Sequence, residues 1–353
     1  MKKIFISLVI LFIAVFISSA TVRTVSNNAD NPAQFSAINS AINVSADGDT
    51  ILVFGSDVSY GTVNLDRTIV LIGAGYHNTY GGNSIISTLN IKGGTFNASN
   101  SKISGFYIEN LYFRGNEDAA KLIENVLIER CRLQYVIFYD KVTYRNDTIR
   151  NCLLKNSYVY FYDYLVPYQN IQIHNNIFDN EYFYSYNNSY VLDSVYVRNC
   201  VFLNRAAPNT IFSRSKYLTI ENSIFYAAEP QGCLECAFNH NMTYANTNNV
   251  LVGTGNPGSV GSNNQEDVNP EFEIYPIGGG PFSYDQDLNV NNPLAKTGGA
   301  GGTEMGIYGG MLPYEPGLNP SIPQMTEITF PGDASSVKIG GTLNVTFKAK
   351  KQD

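Results

Sequence analysis

One six-residue phrase constrains this chain more than any other feature: an aliphatic residue, any residue, usually Asn, two further residues, then Phe or Leu. It reads IENLYF at 108–113, IERCRL at 128–133, IRNCLL at 149–154, IHNNIF at 173–178, VRNCVF at 197–202 and IENSIF at 220–225. The third positions are Asn110, Arg130, Asn151, Asn175, Asn199 and Asn222, so successive differences are 20, 21, 24, 24 and 23 residues. Self-similarity at such a period marks a solenoid, in which each coil packs only on its neighbours.

Strands of adjacent coils lie about 4.8 Å apart, so equivalent residues stack in columns. Ile108, Ile128, Ile149, Ile173, Val197 and Ile220 are expected to fill the interior, with Phe113, Leu133, Leu154, Phe178, Phe202 and Phe225 as a second column. Between the two the chain must bend, and Asn tolerates the left-handed backbone that a bend requires. Its amide can also donate to and accept from the residue above and below. The pattern therefore predicts an asparagine ladder of Asn110, Asn151, Asn175, Asn199 and Asn222, with a looser turn at Arg130. The column after the ladder reads Leu111, Cys131, Cys152, Asn176, Cys200, Ser223. In-register Cβ vectors point the same way, which disfavours a Cys131–Cys152 bond. Buried thiols are the expectation, and no base is implied beside them.

Composition agrees with strands and turns: 25 Tyr, 20 Phe, 30 Gly, no Trp and only 15% charged residues. A net charge of -7 without basic clusters argues against nucleic acid as a partner. Five cysteines include the pair Cys233 and Cys236, readable as a local disulfide, half a metal site or neither. Without a second CxxC or a spaced His pair, no metal is expected there. Residues 1–20 place Lys2 and Lys3 before the apolar run Ile4–Ile17 and the small residues Ser18, Ser19 and Ala20. That order reads as a cleaved export signal, since the run is shorter than the roughly 18 residues of a membrane span. The expected location is secreted, or the bacterial cell surface or periplasm, with no transmembrane span after cleavage.

The stretch PAQFSAINSAINVSADGDTILVFGSDVSYGTVNLDRTIVLIGAGY, and near the end NPEF, DLNVNNPLAKTGGAGG and TEMGIYGG, complete a recognisable arrangement. On these segments and the repeats, most of the chain resembles the pectin-lyase-like superfamily, in particular repeat proteins secreted by Bacteroidetes-type bacteria. The resemblance implies an all-β, right-handed, single-stranded parallel β-helix, with an amphipathic capping helix carrying Phe35, Ile38, Ala41 and Ile42. It implies no single activity, because the superfamily holds lyases, hydrolases, esterases, adhesins and proteins without known activity. The Asn-Thr-Asp, Asp-Asp, Gly-His-Gly and Arg-Ile-Lys signatures of polygalacturonase-like chains are absent, as is the Trp of the methylesterase signature.

The stretches SYVYFYDYLVPY (157–168) and EYFYSYNNSY (181–190) alternate Tyr with apolar residues. Alternation puts Tyr158, Tyr160 and Tyr162 on the outer face. The 24-residue spacing carries them to Tyr182, Tyr184 and Tyr186, and the 21-residue spacing carries Tyr160 back to Tyr139. An outward column Tyr139, Tyr160, Tyr184 is therefore expected, flanked by Tyr158 over Tyr182 and Tyr162 over Tyr186. Exposed aromatic patches mark contact surfaces, and tyrosines suit sugar rings or protein partners; stacked tyrosines can also simply stabilise the exterior. The first functional reading is thus a noncatalytic secreted protein that binds polysaccharide, cell-surface glycan or a surface protein.

The alternative is a divergent polysaccharide lyase or hydrolase acting on acidic polysaccharide. Its weak candidates are Asp140, Lys141, Arg145, Asp147 and Arg150, which could hold calcium beside a base. No cofactor is expected otherwise. His77, His174 and His240 fall in turns or beside the ladder, with no carboxylate placed near them by sequence. The expected organisation is a signal at 1–20, β-helix at 21–310, proline-rich connector at 311–323 and a short strand extension at 324–353.

Overall fold

Segments such as DTILV (Asp49–Val53) and IVLIG (Ile69–Gly73) alternate buried and half-buried residues, as strands with one face on a core must. The computed structural model describes residues 20–77, 82–94, 97–115, 121–139, 142–162, 168–185, 194–315, 324–329 and 346–350. Nearly all of the expected signal at 1–20, with Asp140, Lys141, Tyr186 and 316–323 of the connector, lies outside the described residues.

Within these, each coil contributes a strand to a first sheet, then to a second, and in the middle coils to a third. The first sheet runs from Val22–Val25 through Thr148–Arg150 and Ile171–His174 to Val260–Ser262, parallel throughout. The second runs in parallel from Thr62–Leu65 to Met242–Tyr244, and the third holds Leu122–Glu124, Thr143–Arg145 and Tyr168–Gln169. This is a right-handed parallel β-helix. Within the first coils a helix, Ile38–Asn43, buries Ile38, Ala41 and Ile42.

The interior is a set of columns. Ile103, Ile128, Ile149, Ile173, Val197 and Ile220 stack in register. Ile108, Leu133, Leu154, Phe178, Phe202 and Phe225 form the next column. In it Phe178, Phe202 and Phe225 lie face to face at 4.6 Å between successive centroids.

Three expectations about the ladder are corrected. Asn110 lies inside the strand Tyr107–Gly115 and pairs with Tyr135, so it is not a turn residue, and Ile108 and Phe113 pair with Leu133 and Phe138. The turn of that coil is made by Gly105, at φ +79°, which takes the left-handed backbone as readily as Asn. Nor is the turn at Arg130 looser: its φ of 52° equals that of Asn151.

The turn asparagines at 151, 175, 199 and 222 take the left-handed backbone, but no hydrogen bond joins their amides to one another. Asn175 donates to the carbonyls of Ile307 and Gly309, Asn199 donates to that of Glu304, and Asn222 accepts from the Ala300 N–H. A true amide ladder forms at another corner, between the third and first sheets. There Asn125 donates to Asn100 at 2.9 Å, Asn146 to Asn125 at 3.1 Å and Asn170 to Asn146 at 2.9 Å.

The partners of Asn175, Asn199 and Asn222 belong to an outer layer. On the outside of the second sheet, Leu153, Ile177, Val201, Ile224 and Met242 form an apolar column that is fully buried. Leu288, Val290, Ala295, Met305, Ile307 and Tyr314 cover it. Asp179 ties this layer down, paired with Lys155 at 2.7 Å and accepting from the Phe282 N–H. Beyond it, Glu315 forms an ion pair with Arg130, and Gln324–Thr329 pairs antiparallel with Thr346–Lys350.

Candidate functional site

The strand Leu153–Phe161 bends at Asn156, which takes φ 63°, and the next coil bends at Asn180, φ 53°. Past the bend Val159 and Phe161 are buried inside, and Tyr158 and Tyr160 are half-buried outside. Tyr135, Tyr158 and Tyr182 align across three coils, with ring centroids 5.1 and 5.6 Å apart. Tyr160 aligns with Tyr184 at 5.1 Å. Tyr158, Tyr160, Tyr182 and Tyr184 together line an open groove of about 260 Å³.

Tyr139 is not in the Tyr160–Tyr184 column. It stacks on Tyr162 at 5.7 Å, and the position beneath Tyr160 is Ile137. The cause is a two-residue difference between coils. Leu133 pairs with Leu154, an offset of 154 − 133 = 21, whereas Tyr135 pairs with Tyr158, an offset of 158 − 135 = 23. The extra residues fall at the Asn156 bend. Tyr112 and Tyr135, which sequence reasoning did not single out, join the same face; Tyr112 packs edge-on against Tyr139.

Arginines lie on this face as well. The Arg114 guanidinium is 4.7 Å from the Tyr112 ring centre and 4.6 Å from that of Tyr139. Arg205 lies 4.3 Å over Tyr182, and Arg214 lies 5.8 Å from Tyr184 and donates to its hydroxyl at 3.2 Å. Among the described residues none of the three has a carboxylate in ion-pair contact, while Lys102, Arg145, Arg150, Lys155 and Arg198 all do. Burial, then the neighbouring phenol of Tyr182, raises the Tyr158 pKa above its ordinary value; burial also raises that of Tyr182, with Arg205 opposing. These hydroxyls therefore remain donors throughout the neutral range.

The described lyase candidates do not converge. Arg145 pairs with Glu124 at 3.2 Å, and Arg150 pairs with Glu129 at 2.6 Å, a carboxylate shared with Lys102. Asp147 is 1% exposed, accepts from the Val126 N–H, and is held well above the usual carboxylate range by burial. A carboxyl whose ionisation is disfavoured by burial is a poor cation ligand. His77 stacks on Tyr284 at 3.8 Å beside a second hollow of about 170 Å³ in the outer layer. His174 contacts Asn175, and His240 contacts the Gly298 carbonyl. Cys233 and Cys236 form a disulfide, and Cys131, Cys152 and Cys200 are buried free thiols.

No family model matches the chain, and no curated protein sequence matches it. Among solved structures it is similar to the pectin methylesterase from Aspergillus niger, at 13% identity and a TM-score of 0.34, over 72% of this chain and 93% of that one. The fold assigned above stands on the strand pairing itself.

Proposed function

We propose that this protein is an exported, noncatalytic binding protein whose tyrosine face holds a glycan. The observation that supports this reading is the registered set Tyr135, Tyr158, Tyr182 and Tyr160, Tyr184, which offers ring faces and hydroxyls together on one open groove. Sugar rings present C–H surface to stack and hydroxyls to hydrogen-bond, which such a surface matches. Export is supported by the leader-like segment at 1–20 and by the Cys233–Cys236 disulfide, a bond suited to an oxidising compartment. Among the described residues no helix is long and apolar enough to cross a membrane. The strand pair beyond the connector serves, in this reading, as the remnant of a surface tether.

A glycan array followed by titration of the retained glycans tests this. Binding that falls at least tenfold in Tyr160→Ala and Tyr184→Ala, with unchanged circular dichroism, supports it. No retained glycan, or equal binding by both variants, overturns it. Incubation with uronic-acid polymers while following the absorbance of unsaturated products tests the lyase reading; turnover lost in Arg145→Ala or Arg150→Ala would replace the proposal.

A further inference from the structure

The outer layer encloses a hollow that the glycan reading does not use. It lies against the second sheet at Ile177, beside His77 of the loop that follows Ile69–Gly73, and between outer-layer segments around 282–288 and 307–314. Its volume is about 170 Å³, under the roughly 300–1,000 Å³ of sites for drug-sized ligands, so it suits a small head group rather than a chain of rings. The walls are aromatic. Phe282 meets Tyr284 at 5.7 Å and 83°, and Tyr308 meets Tyr314 at 6.3 Å and 75°, so each pair makes a corner and not a flat shelf. His77 is stacked on Tyr284 at 3.8 Å. Corners of this kind enclose a compact, rounded group on several sides.

Among the described residues that line the hollow there is no Lys or Arg. The lining carboxylate, Asp285, is exposed and has no hydrogen-bond or ion-pair partner. Burial, then the nearby acids Asp287 and Glu304, raise the Tyr308 pKa to about 12, so this phenol stays neutral beside negative charge. Arg132, the cation felt by Tyr284, is outside the lining and holds its guanidinium 4.5 Å over Tyr107.

We propose that this hollow is a second ligand site, independent of the tyrosine face, that holds a quaternary ammonium head group. Its methyl surface, which carries the positive charge, meets aromatic rings on several sides, and Asp285 balances the charge at the opening. A methylated cation is less strongly hydrated than a bare ammonium, so it enters walls of ring carbon at a smaller desolvation cost. His77, Ile177 and Tyr314 come from distant parts of the chain, so the site exists only once the outer layer has closed over the second sheet.

Calorimetric titration of the full chain at pH 8 and fixed ionic strength tests this, with choline, tetramethylammonium and dimethylbutanol, the uncharged carbon analogue of choline. Saturable binding in the millimolar range or tighter is expected, about tenfold stronger for choline than for the uncharged analogue. Tyr308→Leu and Asp285→Asn should each weaken choline by about three- to tenfold. Asp285 is exposed, so its variant reads the site even where Tyr308→Leu folds poorly. Asp30→Asn, an exposed acid of the first coil, should leave binding unchanged. Flotation with phosphatidylcholine and phosphatidylglycerol vesicles separates two sources of the head group. Choline-competed capture by the former alone supports the site with a lipid source, and choline binding without capture supports it with a free solute. Equal binding of choline and dimethylbutanol, or no saturation by about 50 mM, overturns the proposal. So does a neutral monosaccharide whose binding is lost in Asp285→Asn while choline does not bind. None of these results bears on the tyrosine face, which Tyr160→Ala and Tyr184→Ala read separately.

Discussion

The Asn175 side-chain amide donates to the carbonyl of Gly309 at 2.8 Å, joining a turn of the solenoid to a residue 134 positions further on. It also donates to the Ile307 carbonyl, and Asn175 itself is 2% exposed at φ 54°. Asn175→Ala should cost about 3 kcal/mol, from two buried carbonyls without donors and a left-handed backbone with a Cβ that disfavours it. Asn175→Gly should recover about 1 kcal/mol of that, because it relieves only the backbone. Urea unfolding measures both, and an Ala variant as stable as the parent would refute the clasp.

Asn125 accepts from Asn146 and donates to Asn100, so its two amide atoms have opposite duties. Asn125→Asp preserves the acceptor and the tolerance for φ 56° but turns a second oxygen toward Asn100. A loss of about 1 kcal/mol is expected at neutral pH, shrinking in acid as the carboxyl regains a proton to donate. Denaturation midpoints at pH 7 and pH 3 check the sign.

Glu181 is fully buried; one carboxyl oxygen accepts from the Ser157 N–H, and the other has no hydrogen-bond partner. Burial raises its pKa well above 4.5, with Arg205 opposing and Asp179 reinforcing. The folded state therefore favours the protonated acid: this contribution is fully present below the unfolded value of 4.5 and is lost as pH rises through the folded one. Glu181→Gln retains the acceptor for Ser157 and removes the titration. It should melt several degrees above the parent at pH 7, with the gap closing by pH 4. A gap independent of pH would show that Glu181 is not held neutral.

Cys131, Cys152 and Cys200 are buried, and burial pushes the Cys200 thiol up to about 12. Thiolate is the reactive form, so the folded chain should resist a thiol reagent at pH 8. In denaturant three groups should react, and after reduction of Cys233–Cys236 five. Mass spectrometry counts them; labelling of any of the three in the folded protein would contradict the packing.

The interior columns were legible because a stacked aliphatic or Phe must recur at a fixed place in each coil, as Ile128 to Ile220 and Leu133 to Phe225 do. Asn110 misled because IENLYF matches the phrase in letters while its coil turns five residues earlier, at Gly105. Tyr139 was misplaced because two residues added at the Asn156 bend shift everything after them, and a count from Asn151 does not see it. The outer layer had a signal that went unread: Leu153, Ile177, Val201 and Ile224 put aliphatic residues where a bare coil would face water. The arginines over the tyrosines had none, since Arg114 and Arg214 reach that face only through coil stacking.

The apolar column under the outer layer also orders the protein's biogenesis. Residues 153–242 are synthesised before the segment that shields them, so the growing chain presents Leu153, Ile177, Val201, Ile224 and Met242 to water until residues 268–315 follow. Aggregation should concentrate in that interval, and a chain stopped before residue 268 should need a chaperone that the finished protein does not.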